Sequence, residues 1–223
     1  MSKAAENVAE SVADKAGEGI SLLELFMAGG LMMWILLALS IVAMWIFFER
    51  LWVILKASKI DSRFMDQIKQ YVHSGQINYA IDLCRMTNSP IARLIEKGLE
   101  RIGRPLSDVQ TAVENVGNLE VGKLEKGLPM LATVSGGAPM LGFLGTVIGM
   151  IQSFYDMAQK GSNIDISGLA GGIQYALVTT VGGLVVGIMA YFEYNYLVSK
   201  VERIMHKMES NTIEFMDLLN EPV

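Results

Sequence analysis

The sequence predicts an all-α integral membrane protein: three transmembrane helices, with long helices extending into a cytoplasmic helical domain. Three observations carry that prediction. Residues 28–48, 127–155 and 166–192 form runs of 21, 29 and 27 residues without a charged side chain, and about 20 helical residues cross the hydrocarbon of a bilayer. Twelve of the 18 Lys and Arg residues fall within 49–126, beside the ends of two runs. Outside the runs, apolar residues recur at helical spacings of three and four. A soluble protein with buried central helices is the competing reading, but core helices seldom exclude charge for so long, and only elements that close their own backbone hydrogen bonds persist in lipid.

Residues 1–27 read as a periplasmic amphipathic segment. Ala5, Val8, Val12, Ala16, Ile20 and Leu23 make its apolar stripe, with Glu6, Glu10, Asp14 and Glu18 between them, the pattern of a helix lying on a membrane surface. Residues 28–48 follow as the first span. This run exceeds the roughly 7–15 residues of a signal-peptide core and is preceded by mainly acidic residues, so it is read as an anchor.

Residues 49–126 read as a cytoplasmic helical domain with breaks at Ser74-Gly75, Asn88-Ser89-Pro90 and Gly103-Arg104-Pro105, each a turn-forming cluster. Ser107 and Gln110 have capping-box spacing, which predicts a helix from Asp108. Its apolar face passes through Val109, Val113, Val116 and Leu124, and no proline intervenes before Pro129. The helix is therefore expected to run unbroken into the second span, 127–156. A periplasmic loop, 157–165, leads to the third span, 166–198. Val201, Ile204, Met208, Phe215 and Leu218 then mark 199–223 as a cytoplasmic amphipathic helix. The charge distribution sets the orientation: Arg50, Lys56, Lys59, Lys123 and Lys126 lie near span ends on one side, whereas the 157–165 loop holds only Lys160. The positive-inside rule puts the N-terminus and that loop outside, and 49–126 and the C-terminal tail inside.

The last two spans are rich in small residues. Ser135, Pro139, Gly142, Thr146, Gly149 and Ser153 are spaced 4, 3, 4, 3 and 4, which puts them on one helix face. Gly168, Gly172, Ala176, Thr180, Gly183 and Gly187 repeat the arrangement in the third span. Helices in lipid associate through such faces because small residues let backbones approach closely, so both stripes are expected to face protein. Thr146, Thr179 and Thr180 add hydroxyls at mid-span. Each could bond back to a carbonyl of its own helix, or together they could line a narrow polar path.

The chemistry of soluble enzymes is missing. Cys84 is the single cysteine, His73 and His206 are the two histidines, and no metal-ligand spacing or nucleophile–base pair is found. The 15 methionines suit irregular packing better than metal binding. No enzyme activity, metal, cofactor or nucleic-acid partner is expected. Glu49, Asp156 and Glu193 sit at span ends and no ionisable residue lies at mid-membrane depth. A proton pathway needs such a group, so any carboxylate for one must come from a second chain.

"APMLGFLGTVIGMIQSF" (138–154) and "GIQYALVTTVGGL" (172–184) resemble the second- and third-span signatures of the MotA/TolQ/ExbB family, membrane subunits of proton-driven motors. The three-span plan is most similar to its ExbB and TolQ branches. The resemblance implies a homopentamer in a Gram-negative inner membrane. It would surround an ExbD-like single-span partner that supplies an intramembrane aspartate, and would pass work to a TonB-like protein. Thr146 would line the path to that aspartate, Thr180 matches the family's third-span threonine with Thr179 beside it, and Pro139 would shape the second span. The small residues, Ser135, Gly142, Gly149, Ser153, Gly172, Ala176, Gly183 and Gly187, would form smooth pore walls. Tyr175 departs from the pattern, standing where transporter-type members commonly carry a glutamate; a phenol is too weak an acid to replace a titrating carboxylate. A TolQ-like role in envelope integrity and a non-conducting membrane scaffold remain as alternatives.

Overall fold

The computed structural model describes residues 22–58, 63–160 and 166–220, and all regular structure among them is helical. Eight helices follow in order: α1 (Leu22–Ala28), α2 (Gly30–Ala57), α3 (Phe64–His73), α4 (Ile77–Thr87), α5 (Pro90–Leu99), α6 (Leu106–Glu125), α7 (Leu128–Lys160) and α8 (Ile166–Asn220). The amphipathic segment expected before residue 22 and the loop centre at 161–165 lie outside the described residues. Three helical stretches, containing α2, α7 and α8, are long and apolar enough to cross a membrane.

The three breaks predicted between residues 49 and 126 are present. Their local chemistry is direct: Ser89 accepts a hydrogen bond from the Ala92 amide at 3.1 Å, with Pro90 opening α5, a side-chain cap on an amide the helix cannot satisfy itself. Two other expectations need correction. α6 starts at Leu106, directly after Pro105, and its N-terminus has no side-chain cap. The Ser107 carbonyl instead accepts from the Thr111 hydroxyl, and Gln110 donates to Glu114, each at 2.8 Å. Proline's fixed φ already sets the chain for a helix, so no capping box is required to start one. Nor does α6 run into the second span. It stops at Glu125, and Gly127 turns the chain at φ +88° before α7 begins, a left-handed conformation that glycine adopts without a Cβ penalty. The continuous helix is α8, whose 55 residues extend about 80 Å at roughly 1.5 Å per residue.

The chain divides into two compact units, Met1–Val42 with Val134–Met189, and Ala43–Thr133 with Ala190–Val223. The second unit has the core of a small helical domain. Ile68, Ile91, Ile95, Leu99 and Val113 are buried, as is the whole predicted tail stripe of Val201, Ile204, Met208, Phe215 and Leu218. The Phe215 ring occupies the space a side chain at Gly98 would need.

One buried charge anchors this unit. Glu120 is 3% exposed and accepts from Arg93 Nη2 at 2.5 Å and Lys123 Nζ at 2.6 Å. Burial pushes its carboxyl upward, but the bonds from Arg93 and Lys123 outweigh that and hold it below the ordinary range. A lowered folded-state pKa stabilises the fold above the unfolded value, near 4.3, and the contribution disappears as pH falls through the folded value. Glu120→Ala is expected to cost about 2 kcal/mol at pH 7; this sits below the range for breaking fully buried pairs because the exposed Lys123 is screened by solvent. Denaturation of the purified protein at pH 7 and below pH 4 checks this. The deficit must shrink in acid, and an equal deficit at both would contradict the ionised triad.

Candidate functional site

The first unit brings together the two small-residue stripes predicted from spacing. A Cβ built on Gly183 of α8 would lie 2.6 Å from the Ala138 carbonyl oxygen and 2.8 Å from Gly142 Cα. One built on Gly142 of α7 would lie 2.9 Å from the Thr179 carbonyl oxygen. Towards one end of this seam, Gly149 and Gly172 approach through their backbones, with Ser153 against Gly172. Towards the other, the Pro139 ring fills the notch left by Gly187, whose Cβ would fall 2.5 Å from Pro139 Cγ and 3.0 Å from the Ser135 carbonyl oxygen. Backbone meets backbone where bulkier side chains would hold the helices apart. The stripes therefore face each other within one chain.

The threonines separate into two kinds. Thr179 is fully buried, and its hydroxyl bonds only within its own helix, to the Tyr175 and Ala176 carbonyls, each at 3.0 Å. Its side chain fills the gap above Gly145, where a Cβ would come within 2.5 Å of Thr179 Oγ1. Thr146 and Thr180 instead meet across the seam, hydroxyl to hydroxyl. Each hydroxyl oxygen also lies 3.2 Å from the Ala176 carbonyl and 3.4 Å from the Gly142 carbonyl, so the two hydroxyl protons have these two carbonyls and the opposite hydroxyl as alternative acceptors. Each carbonyl is thus shared by one hydroxyl from α7 and one from α8.

The count of protons and lone pairs matters. Two hydroxyls hold two protons and four lone pairs, and the surrounding acceptors are Gly142, Ala176 and each other. After both protons are donated, lone pairs remain to accept from a third group. A pair of this kind can take a proton on one oxygen, release one from the other and reset by rotating the hydroxyls. It holds no charge of its own between events.

Tyr175 packs by its ring. A Cβ on Gly149 would lie 2.9 Å from Tyr175 Cδ1, and one on Gly30 would lie 3.1 Å from Cε2. The ring thus fills space between the start of α2 and the middle of α7. Ser153 is buried and donates to the Gly149 carbonyl at 3.0 Å, again within its own helix.

Outside the spans, the described residues include no group of three or more His, Cys, Asp or Glu side chains placed to hold a metal. Burial, then the nearby Glu96, pushes the Cys84 thiol up to about 12, far from the range of a reactive thiolate. Sequence reasoning missed the buried Glu120 triad, in which Arg93 of α5 joins the Glu120–Lys123 pair of α6, and missed Gly145 as the seat of Thr179. The adjacency of Gly145 to Thr146 was the available signal for the latter.

Residues 86–210 match the MotA/TolQ/ExbB proton channel family. Among relatives, an ExbB homologue of Methanothermobacter thermautotrophicus is 29% identical over 190 residues, covering 85% of this chain and 67% of the relative. The biopolymer transport protein ExbB of Aquifex aeolicus is 36% identical over 140 residues, 61% of this chain and 86% of the relative. The Tol-Pal system protein TolQ of Pseudomonas aeruginosa is 35% identical over 101 residues, 45% of this chain and 43% of the relative.

Proposed function

The chain belongs to the MotA/TolQ/ExbB proton channel family, and on that premise we propose that it is an ExbB-like subunit that energises TonB-dependent transport across an outer membrane. It would act as a homopentamer in the inner membrane of a Gram-negative cell, N-terminus outside, around an ExbD-like single-span partner. The observation that carries this reading is the Thr146–Thr180 hydroxyl pair, set at mid-span in a seam that offers no carboxylate of its own. A partner aspartate would take a proton from outside and release it inward by way of this pair. Each charge crossing the membrane potential supplies about 2.3 kcal/mol per 100 mV. That work would turn the pentamer against its partner and pass to a TonB-like protein.

The close α7–α8 contacts support roles for the other residues. Pro139, Ser135, Gly142, Gly149, Ser153, Gly172, Ala176, Gly183 and Gly187 would keep α7 and α8 together as one smooth-walled stave of the pore. Thr179 would hold that stave's spacing. Tyr175 would act as a packing and hydrogen-bonding wall residue, leaving the partner's aspartate as the titrating group. The likeness to TolQ supports a second reading, in which the same motor serves envelope integrity; the broader coverage of ExbB relatives favours the first.

The test is proton uptake into liposomes under an imposed potential. Vesicles holding this chain with its single-span partner should take up protons, whereas vesicles holding either alone, or a partner with Asp→Asn in its span, should not. Uptake by this chain alone would refute the need for a partner carboxylate. No uptake by the intact complex would support the scaffold. Complementation then separates the branches: restoring TonB-dependent uptake supports the first, and restoring detergent resistance to a Tol-deficient cell supports the second.

A further inference from the structure

In the second unit, a cavity of about 360 Å³ opens between the end of α2 and the middle of α8. Lys200, Arg203, His206 and Lys207 line it from α8, and Ser58 faces them from the end of α2. Its apolar side is Ile54 and Leu55, the first buried and the second exposed.

Several cations of this unit are held in ion pairs: Lys69 with Glu214, Arg85 with Glu96, Arg93 and Lys123 with Glu120, and Lys97 with Glu100. Lys200, Arg203 and Lys207 form no ion pair among the described residues; Lys200 lies over the Tyr196 ring at 5.2 Å. His206 alone has a carboxylate nearby, Glu209 at 3.4 Å. Three like charges within two helical turns repel one another, so the cavity favours an anion that neutralises them.

Its height relative to the apolar surface selects the anion. Trp45, Phe48 and Trp52 on α2, and Tyr191, Phe192 and Tyr196 on α8, are all exposed, the aromatic belt expected where hydrocarbon gives way to headgroups. The cations begin four residues after Tyr196. A second cleft, lined by Trp52, Leu55, Lys56 and Ser58, shares Leu55 and Ser58 with the first. Cationic lining thus continues into exposed apolar surface, which suits a phosphate carrying acyl chains better than a free anion.

We infer that this cavity is a headgroup site for an anionic phospholipid of the cytoplasmic leaflet. Arg203, Lys200 and Lys207 engage the phosphate, Ser58 donates a hydroxyl hydrogen bond, and an acyl chain runs along Leu55 and Trp52. The site is independent of proton conduction, so liposome uptake can fail while lipid binding stands, and the reverse.

The experiment measures thermal stabilisation of the purified, partner-bound protein in detergent. Phosphatidylglycerol, phosphatidylcholine and glycerol phosphate are titrated separately against wild type and the variant Lys200→Gln/Arg203→Gln/Lys207→Gln. Phosphatidylglycerol should stabilise the wild type. The triple variant should bind it on the order of a hundredfold more weakly, at about fivefold per cation near a membrane surface. A charge-matched control, Lys69→Gln/Arg85→Gln/Lys97→Gln, should keep wild-type affinity. Equal stabilisation by phosphatidylcholine, equal loss in the control, or an unchanged triple variant would each overturn the site. Glycerol phosphate matching phosphatidylglycerol would show a free-anion site and overturn the lipid assignment. If the triple variant does not fold, Arg203→Gln alone should weaken binding about fivefold, and no change there is equally decisive.

Discussion

Replacing Gly183 with alanine is expected to lower the thermal unfolding midpoint in detergent by roughly 5–10 °C, the equivalent of about 2–3 kcal/mol in a chain of this size. The argument rests on what the new methyl would meet. Its carbon would lie 2.6 Å from the Ala138 carbonyl oxygen and 2.8 Å from Gly142 Cα. Both are backbone atoms of a neighbouring helix, so no rotamer change can relieve the clash and the helices must move apart. Moving them lengthens the contacts at Gly142, Gly149 and Gly172 together, and draws Thr146 and Thr180 away from each other. Proton uptake should therefore fall with stability. Gly136 and Gly171 provide the contrast, since a Cβ on either meets nothing within 4 Å. Alanine at these positions should leave the midpoint unchanged or slightly raised, because alanine favours helix over glycine by up to about 1 kcal/mol. A Gly183→Ala protein as stable as Gly171→Ala would show that the seam is not closed as described.

The seam was legible because membrane helices leave a simple pattern. A small residue every three or four positions has little use in lipid except to admit another backbone, and the contacts run along the seam from Gly187 on Ser135 and Pro139 to Gly172 on Gly149 and Ser153. What the pattern could not show was the partner of each stripe. Spacing identifies a face, and whether that face meets its own chain, a copy or a second protein depends on tertiary placement. Spacing does separate Thr179 from Thr180, since only Thr180 continues the third-span stripe, but it does not show what either hydroxyl meets. They are adjacent in sequence, yet about 100° apart around a helix with 3.6 residues per turn, which turns one to its own backbone above Gly145 and the other to Thr146. The break at Gly127 was missed for a different reason. Absence of proline does not make a helix continuous, because a glycine at positive φ ends one equally well. The Glu120–Lys123 half of the triad is a local i,i+3 pair, the spacing of any exposed helix pair, whereas Arg93 lies 27 residues away and only folding brings it near and buries the carboxylate.

Thr146→Val and Thr180→Val should each reduce proton uptake by the partner-bound complex about 100-fold or more, the lower end of the scale for losing a positioned proton-transfer group, while assembly with the partner is kept. Valine preserves the branched shape and removes the hydroxyl, so the seam stays filled. Neither carbonyl is stranded: Gly142 and Ala176 retain their helical hydrogen bonds, and loss of one shared hydroxyl costs about 1 kcal/mol. The double variant should be no slower than the slower single, because the two oxygens form one relay and removing either breaks it. Serine at position 180 should restore uptake by returning the hydroxyl. Thr179→Val should act on stability and leave uptake close to wild type, since its hydroxyl bonds only to carbonyls of its own helix. Wild-type uptake in both Thr146→Val and Thr180→Val would remove the hydroxyl pair from the pathway and return it to packing alone. A loss at Thr179 equal to that at Thr180 would mean that helix spacing, and not proton relay, sets the rate.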